Sequence, residues 1–380
     1  AFDEGVALFF REPHSYTGED TAELQCHGSP TALALGLDAL FAAGARQAQA
    51  GEFTRRAFLS GRLDLTQVEA VADLIYAGSA GAVYQAAGQL GGALSQVIGQ
   101  VYDRLTDLMA HFHAVLDYPD EDIDPFEAAE ISTALTDAAG QLNRLAVTYR
   151  RGRAITEGIP CAIVGRPNAG KSTLFNALLG YERAIVTPIP GTTRDVVEET
   201  VLAGEIVLRL ADTAGIRDTD DPVEQAGVQL ARRRLESAQL VLVVLDRSEP
   251  LSEGDLALLA SLAGRPAIAV LNKSDLPPQL EEKALAGLVS QTVEISARTG
   301  EGAENLIQAI AELLHLSDVD PSAPLLANER QRICLQKAAT ALEEAVQALE
   351  EGVTLDAVSV CLDEAIGPLL ELTGRRVSDA

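Results

Sequence analysis

Gly165-Arg166-Pro167-Asn168-Ala169-Gly170-Lys171-Ser172 stands between the apolar run Cys161–Val164 and the helical pattern Thr173–Leu179. A strand, a glycine-rich turn and a helix in this order form a loop whose backbone N–H groups curl around phosphates. The helix dipole adds attraction for the anion. We expect Lys171 to reach the β- and γ-phosphates and Ser172 to bind Mg²⁺. The stretch therefore predicts a nucleotide-phosphate site in an α/β domain.

Short apolar runs continue on both sides of this loop, and helical patterns fill the intervals between them. The runs are Cys161–Val164, Val207–Ala211, Leu240–Leu245, Ala267–Leu271 and Thr292–Ile295. Strands that alternate with helices are typical of a doubly wound, parallel sheet. We therefore expect residues 153–318 to form an α/β domain around a mostly parallel sheet.

The base that this site selects is indicated by Asn272-Lys273-Ser274-Asp275, directly after the run Ala267–Leu271. The carboxylate of Asp275 can accept two hydrogen bonds, from guanine N1–H and from the exocyclic amine. Adenine lacks this donor pair and would leave the carboxylate unpaired, which costs on the order of a few kcal/mol. Ser296-Ala297-Arg298 follows the last run and is expected to back the guanine ring.

Two further motifs lie in the order that a GTP site requires. Asp212-Thr213-Ala214-Gly215 follows a strand, which places Asp212 near Mg²⁺ through water and the Gly215 N–H near the γ-phosphate. Gly191-Thr192-Thr193-Arg194-Asp195 lies earlier, where a mobile switch belongs. The residues expected to bind GTP are therefore Asn168, Ala169, Gly170, Lys171, Ser172, Thr173, Thr192, Thr193, Asp212, Thr213, Ala214, Gly215, Asn272, Lys273, Asp275, Ser296, Ala297 and Arg298.

The residue that activates water is less obvious. Many small GTPases carry a glutamine just after the D-x-x-G motif, but Ile216 stands there and an apolar side chain cannot polarise water. A charged stretch follows, and its Glu224 can orient water by accepting hydrogen bonds. A solvated loop remains the alternative for each of these charges.

The segments that flank the α/β domain differ from it in character. Residues 1–63 combine the strand patterns Val6–Phe10 and Ala22–Cys26 with the helical pattern Pro30–Ala43, which predicts a small α/β domain. Residues 64–152 and 325–380 have helical spacing, which an acidic, proline-bounded break interrupts at Tyr118–Pro125. We therefore expect the GTP-binding domain to be inserted into one helical domain, with the ends of the insert close together.

Two local predictions concern the first helical segment. Thr66-Gln67-Val68-Glu69 has the pattern of a capping box that opens a helix. Helical spacing then continues to Leu116, which predicts one long helix, and a second one is expected from Phe126 to Arg151.

Composition limits the function further. A formal net charge of −27 argues against broad nucleic-acid binding and against anionic membrane surfaces, although a local patch or a partner subunit can still hold RNA. Cys26, Cys161, Cys334 and Cys361 lack the spacing of a zinc site or a disulfide framework. With no membrane-spanning run and no signal peptide, a cytoplasmic location is expected.

Further segments resemble the MnmE (TrmE) family of tRNA-modification GTPases, which is related to the Era type. His14–Asp20, Glu23–Gly28 and Gly51–Phe58 are similar to its N-terminal domain. Leu63–Ala70 is similar to the opening of its helical domain, and Asn328-Glu329-Arg330-Gln331 to the resumption of that domain. The resemblance covers almost all of the 380 residues.

This resemblance implies an activity and several partners. The family modifies carbon 5 of the wobble uridine (U34) of tRNA by carboxymethylaminomethyl or aminomethyl addition. It implies a homodimer that forms a heterotetramer with the FAD-dependent MnmG (GidA). It also implies a tetrahydrofolate derivative, 5,10-methylene or 5-formyl, as one-carbon donor. The GTPase domains of the family pair across the dimer when K⁺ is bound, and this pairing drives hydrolysis.

The resemblance also implies roles for single residues. Asn168, Thr187, Ile189 and Thr192 match the K⁺ ligands, and Thr187 joins the GTP-binding set; Ser172 and Thr193 match the Mg²⁺ ligands. Glu224 matches the glutamate that positions water, so the expected catalytic residues are Glu224, Lys171 and Thr193. Glu23 and Arg62 match folate-binding positions, with Arg62 in place of the usual lysine; a structural salt bridge is the alternative for both.

The family has a further stretch before the position of Ala1 and a Cys-containing motif after that of Ala380, so we expect this chain to be a fragment. If it is complete, GTP hydrolysis should survive and tRNA modification should fail. Three alternatives remain open. One is an Era-type ribosome-assembly GTPase, which usually needs a basic RNA-binding domain. The others are a nucleotide-controlled dimerisation scaffold and a folate-dependent aminomethyl transferase with an acquired GTPase insert.

Overall fold

The structure is a computed structural model that describes residues 2–117, 128–181, 199–203, 206–212, 235–314 and 323–375. It divides into two compact units. Unit 1 contains Ala1–Ala72, Ala87–Ala146 and Glu329–Ala380, and unit 2 contains Asp73–Ala86 and Val147–Asn328.

Within the described residues, helices dominate both ends of the chain and strands dominate its middle. The strands are β1 (Val6–Phe10), β2 (Thr21–Gln25), β3 (Ile159–Val164), β4 (Glu199–Ala203), β5 (Ile206–Asp212), β6 (Leu240–Asp246), β7 (Ala267–Asn272) and β8 (Gln291–Ile295). The helices are α1 (Pro30–Ala42), α2 (Glu52–Leu59), α3 (Leu65–Tyr76), α4 (Ala80–Leu90), α5 (Ala93–Asp117), α6 (Ala128–Val147), α7 (Tyr149–Thr156), α8 (Lys171–Tyr181), α9 (Glu253–Ser261), α10 (Ala303–Leu313), α11 (Glu329–Glu350) and α12 (Leu355–Thr373), with a 3₁₀ turn at Glu282–Leu285.

Unit 1 combines a small β-ribbon with a helical bundle. Strands β1 and β2 pair antiparallel. Helices α11 and α12 pack on each other, and α12 also packs on α5. Arg330 joins the ends of this bundle, because its guanidinium lies 2.8 Å from Glu69 and donates to the carbonyl oxygens of Glu371 and Leu372. Leu94, Phe112, Leu135, Leu335 and Leu362 are among the buried core residues.

The predicted capping box at Thr66 is wrong by two residues. The side chain of Asp64 accepts from the Gln67 N–H at 3.0 Å, and that of Gln67 accepts from the Asp64 N–H at 3.0 Å. The buried Thr66 hydroxyl instead lies 2.8 Å from Ser95 Oγ, and the carboxylate of Glu69 binds Arg330. The reciprocal pair at Asp64 and Gln67 therefore opens α3.

The predicted long helices are also divided. The first consists of α3, α4 and α5, and the last break falls at Gly91-Gly92, where Gly92 has a φ of 89°. The second consists of α6 and α7 in its described part. A left-handed residue ends a helix, and apolar spacing alone does not show such a change of direction.

Unit 2 is built on a six-stranded sheet in the order β4-β5-β3-β6-β7-β8, with β4 antiparallel and the other neighbours parallel. Every residue of β6 and of β7 is buried. Such two-sided burial explains the continuous apolar runs in the sequence. The mostly parallel, doubly wound sheet that the sequence predicts is confirmed.

The chain enters and leaves this α/β domain at one place. The N–H of Leu326 donates to Thr148 Oγ1 at 3.1 Å. Helix α7 crosses the exit so closely that a Cβ on Gly152 would lie 2.0 Å from the carbonyl oxygen of Leu326. The two ends of the insert are therefore neighbours, as its position inside a helical domain requires.

Two further observations concern the described residues. None of their helices meets the length and apolarity that a membrane crossing needs. All four cysteines are free thiols, and burial raises the pKa of Cys161, which lies in β3.

Candidate phosphate and guanine site

The loop between β3 and α8 turns sharply at three residues. Gly165 has a φ of 149°, Asn168 of 63° and Gly170 of 100°. A Cβ on Gly165 would lie 2.3 Å from the Val244 carbonyl oxygen, and one on Gly170 would lie 2.0 Å from Nδ2 of Asn272. Larger residues therefore do not fit at either glycine. The backbone curls just ahead of the N-terminus of α8, where amide groups favour an anion.

Lys171 holds the first half of this loop. Its ammonium donates to the carbonyl oxygens of Gly165 at 2.8 Å and of Arg166 at 2.7 Å. Ser172 and Thr173 follow in the first turn of α8 and are exposed, as is Asn168 at the tip of the loop. The structure thus places a cation, a hydroxyl and an amide side chain around one concave backbone, which suits a phosphate chain and a hydrated cation.

Asn272 connects three motifs that are far apart in the sequence. Its Nδ2 donates to the Ala169 carbonyl oxygen at 2.8 Å, and its Oδ1 accepts from the Ala297 N–H at 3.0 Å. The residue is buried. The side chain therefore fixes the phosphate loop relative to the segments expected to bind the base.

Asp275 lies beside Ser296-Ala297-Arg298, the motif that follows β8. Ser296 Oγ donates to its Oδ1 at 2.9 Å, and the guanidinium of Arg298 lies 3.2 Å from its Oδ2. Ser296 is fully buried, whereas the side chain of Arg298 is largely exposed. An ionised carboxylate offers about four acceptor sites, so these two contacts leave capacity for the two N–H groups of a guanine edge.

Sequence reasoning missed Asp246, the last residue of β6. Its buried carboxylate pairs with Lys273 and accepts from the N–H and the hydroxyl of Ser248 at 2.9 and 2.6 Å. Burial by itself raises the pKa of Asp246, but the hydrogen bonds from Lys273 and Ser248 outweigh it, so the pKa lies below its usual value. Lys273 adopts a left-handed conformation with a φ of 67°. An acidic residue at the carboxyl end of a buried strand was the signal in the sequence.

Several expected site residues lie outside the described part of the chain. They are Thr187, Ile189, Thr192, Thr193, Thr213, Ala214, Gly215 and Glu224. For Asp212 the backbone alone is described, and it pairs with Ile163 of β3.

The two residues expected at the folate site lie in unit 1. Glu23 is exposed on β2, opposite Leu8. Arg62 donates from Nε to the carbonyl oxygen of Ser15 at 3.1 Å. Among the residues that the structure describes, no ion pair joins Glu23 to Arg62, so the contact that Arg62 makes is with backbone rather than with this carboxylate.

Comparisons with known proteins cover both units. Residues 1–62 match the family described as GTP-binding protein TrmE N-terminus, and residues 65–380 match the MnmE helical domain. The tRNA modification GTPase MnmE of Natranaerobius thermophilus is 42% identical over 380 residues, which cover 99% of this chain and 83% of that protein. Its counterpart from Heliobacterium modesticaldum is 43% identical over 386 residues, with the same shares covered.

Among solved structures, the G domain of the T. maritima FeoB iron transporter is 27% identical, with a TM-score of 0.31. This match covers 40% of the present chain and 96% of the FeoB domain. The family matches and the identity to the two relatives extend over nearly the whole sequence. The chain therefore belongs to the MnmE family of tRNA modification GTPases.

Proposed function

We propose that this chain binds and hydrolyses GTP in the C5 modification of U34 in tRNA. The observation that carries the proposal is the arrangement around Asn272, which links the phosphate loop at Ala169 to the segment beside Asp275. A guanine edge bound to Asp275 and a phosphate chain bound at the loop are the two ends of one nucleotide. Membership of the MnmE family supports tRNA as the macromolecular substrate.

The negative charge of the phosphates is balanced by backbone amides and a lysine of this chain. The loop amides and Lys171 bind and orient the phosphates, and they are in place before the reaction, so little reorganisation is needed as charge develops. Ser172 and Thr193 are the residues we assign to Mg²⁺, with Asp212 behind them through water. When bound, Mg²⁺ supplies positive charge between the phosphates. The exposed hydroxyl of Ser172 at the start of α8 fits this role.

We assign a K⁺ site to Asn168, Thr187, Ile189 and Thr192. Of these four, the structure describes Asn168, whose exposed amide side chain stands at the left-handed tip of the phosphate loop. When bound there, a monovalent cation supplies the charge that an arginine finger supplies in other GTPases. Glu224 orients the attacking water, because Ile216 cannot.

Membership of the MnmE family supports three further assignments. They are homodimer formation, the FAD-dependent partner MnmG, and a tetrahydrofolate derivative held with Glu23 and Arg62. We also propose the domain limits 1–63, 64–152, 153–318 and 325–380, the GTPase domain being the third. A cytoplasmic location stays a prediction.

The test is steady-state GTP hydrolysis by the purified chain with Mg²⁺, in matched KCl and NaCl. We expect hydrolysis to be at least about 10-fold faster in K⁺, since removal of one charge-stabilising contact typically costs this much or more. Asn168→Ala should erase the difference between the salts. The control is Asn143→Ala in α6. The side-chain amide of Asn143 donates to Glu343 and does not belong to the phosphate loop. This variant should keep the K⁺ response.

Equal rates in the two salts would remove the K⁺ assignment and leave GTP hydrolysis standing. Absence of turnover in both salts by folded protein would overturn the GTPase proposal itself. Nucleoside analysis of tRNA from cells that lack the protein tests the substrate. Unchanged U34 modification in those cells would contradict the assignment to tRNA.

A further inference from the structure

Arg166, the second residue of the phosphate loop, contacts two carboxylates that have no role in the proposed GTPase reaction. Arg166 lies 2.8 Å from the carboxylate of Asp255, and its guanidinium also lies 3.5 Å from Glu249. The arginine side chain is one-third exposed, but that of Asp255 is only 2% exposed. A charge-assisted hydrogen bond to a buried carboxylate is among the stronger polar contacts available to a loop.

Asp255 is itself held in place by the start of α9. Its Oδ2 accepts from the Ser252 N–H at 3.0 Å and from the Ser252 hydroxyl at 2.8 Å. The N–H of Asp255 donates back to Ser252 Oγ at 3.2 Å, which completes a capping box. Arg166 therefore docks onto a carboxylate whose position is already set by a helix, not onto a mobile side chain.

The contact bears on the tip of the phosphate loop. Pro167 and Asn168 are exposed at this tip, and Asn168 adopts the left-handed conformation. After the tip in the chain, Asn272 donates to the Ala169 carbonyl oxygen. Before the tip, Lys171 donates to the Arg166 carbonyl oxygen and Asp255 pairs with the Arg166 side chain. Side-chain contacts therefore constrain the residues on both sides of the tip.

We propose that Arg166 and Asp255 are positioning residues that hold Asn168 in the geometry needed to bind the monovalent cation. This inference rests on the proposed K⁺-stimulated hydrolysis. The left-handed φ of Asn168, 63°, relaxes when its neighbours no longer constrain it. Loss of the Arg166 anchor therefore weakens cation binding more than it weakens guanine recognition, which depends on Asp275 at the other end of the site.

The variant that isolates this role is Arg166→Met. It removes the guanidinium but keeps the length of the side chain, and the capping box between Ser252 and Asp255 stays intact. Arg166→Lys keeps the charge and restores one hydrogen bond. The matched control is Arg153→Met, which removes a surface arginine 2.7 Å from Glu157, one turn further along the chain.

The measurement is the K⁺ concentration for half-maximal GTP hydrolysis by the full chain, together with GDP affinity and the thermal midpoint. For Arg166→Met we expect the half-maximal K⁺ concentration to rise about 10-fold, with GDP affinity changed by less than about 3-fold. Arg166→Lys should lie between this variant and the wild type. Arg153→Met should match the wild type in K⁺ response.

The outcomes separate this inference from the proposed function. A wild-type chain without any K⁺ response overturns both. A K⁺-responsive wild type with an unchanged half-maximal concentration in Arg166→Met overturns the positioning role alone. Equal losses of K⁺ response, GDP affinity and thermal midpoint also contradict it, because they indicate a general packing role. Asp255→Asn is the second variant, and a K⁺ response like that of the wild type there counts against the pair.

Discussion

At the scale of single residues, the buried side chain of Asn272 joins the phosphate loop to the segment that follows β8. The motif Asn272–Asp275 indicates guanine recognition through the chemistry of its carboxylate. The amide of Asn272, however, acts through two backbone groups that lie 103 and 25 residues away in the chain. No spacing rule predicts those contacts, because they depend on how β3 and β7 sit in one sheet. The same holds for the Asp246–Lys273 pair.

Asp275→Asn tests the base specificity. We expect GDP affinity to fall about 100-fold, since an amide keeps one acceptor and points a donor at another donor of guanine. Inosine diphosphate, which lacks the exocyclic amine, should lose less, so the preference for guanine over hypoxanthine should shrink. Fluorescence titration with the two nucleotides measures this.

The control for this experiment is Asp356→Asn in the first turn of α12, a carboxylate of unit 1. It should bind both nucleotides like the wild type. If Asp275→Asn kept the guanine preference unchanged, Asp275 would lose its role in base selection.

Asp246→Asn tests the pH dependence of stability. The folded-state pKa of Asp246 is lowered, so its contribution is present above the unfolded-state pKa of about 4 and is lost as the pH falls through the folded-state value. At pH 7 the variant should be less stable by about 1.5–3 kcal/mol, the usual range for a hydrogen bond to a charged group. Urea unfolding at several pH values measures this difference.

Asp246→Asn should approach the wild type in stability as the pH falls from about 4 through the lower folded-state pKa, because the wild-type carboxylate then becomes neutral. Ser261→Ala on the exposed end of α9 serves as the control, and its effect should not depend on pH. A stability difference for Asp246→Asn that stayed constant down to acidic pH would show that charge on Asp246 is not what holds Lys273.

At the scale of elements, the buried strands were predictable and the helix boundaries were not. Residues in β6 and β7 are covered on both sides, so each strand is an uninterrupted apolar run. The start of α3 was misplaced because Asp64 with Gln67 and Thr66 with Glu69 both fit the capping pattern. Tertiary contacts decide between the two pairs, because Thr66 hydrogen-bonds to Ser95 and Glu69 pairs with Arg330.

Gly152→Ala tests the close crossing of α7 and the exit segment of the insert. A Cβ at Gly152 would lie 2.0 Å from the Leu326 carbonyl oxygen, so backbone must shift and the Thr148–Leu326 hydrogen bond is strained. We expect a loss of about 1–3 kcal/mol, as for overpacking of a tight contact, despite the better helix propensity of alanine. Denaturant unfolding followed through unit 2 measures it.

Gly99→Ala is the matched helical control, because nothing lies within 4 Å of a Cβ placed there in α5. This change should stabilise the protein by about 0.5–1 kcal/mol. A Gly152→Ala protein as stable as the wild type would show that α7 can move away from Leu326 at no cost.

At the scale of the whole molecule, the insertion follows from sequence, but the grouping of its parts does not. The change from helical to strand patterns marks where the α/β domain starts. The structure also groups Asp73–Ala86 with unit 2, where Ala82 is a buried member of the core around β3 and β5. A small residue such as Ala82 gives the sequence no sign of which core it joins.

Excision of the insert tests how far unit 2 is self-sufficient. A fragment of residues 147–328 keeps every described residue of the phosphate and guanine site, and its ends are adjacent through Thr148 and Leu326. We expect it to bind GDP within about 3-fold of the full chain, because the described part of the site lies entirely within the fragment. Its thermal midpoint should be lower, because removal of Asp73–Ala86 uncovers core surface that Ala82 covers.

The same fragment with Asp275→Asn is the control that should lose GDP. A fragment that is folded by circular dichroism yet fails to bind GDP would show that nucleotide binding depends on the rest of the chain, and the insert would then be a part of one larger cooperative unit.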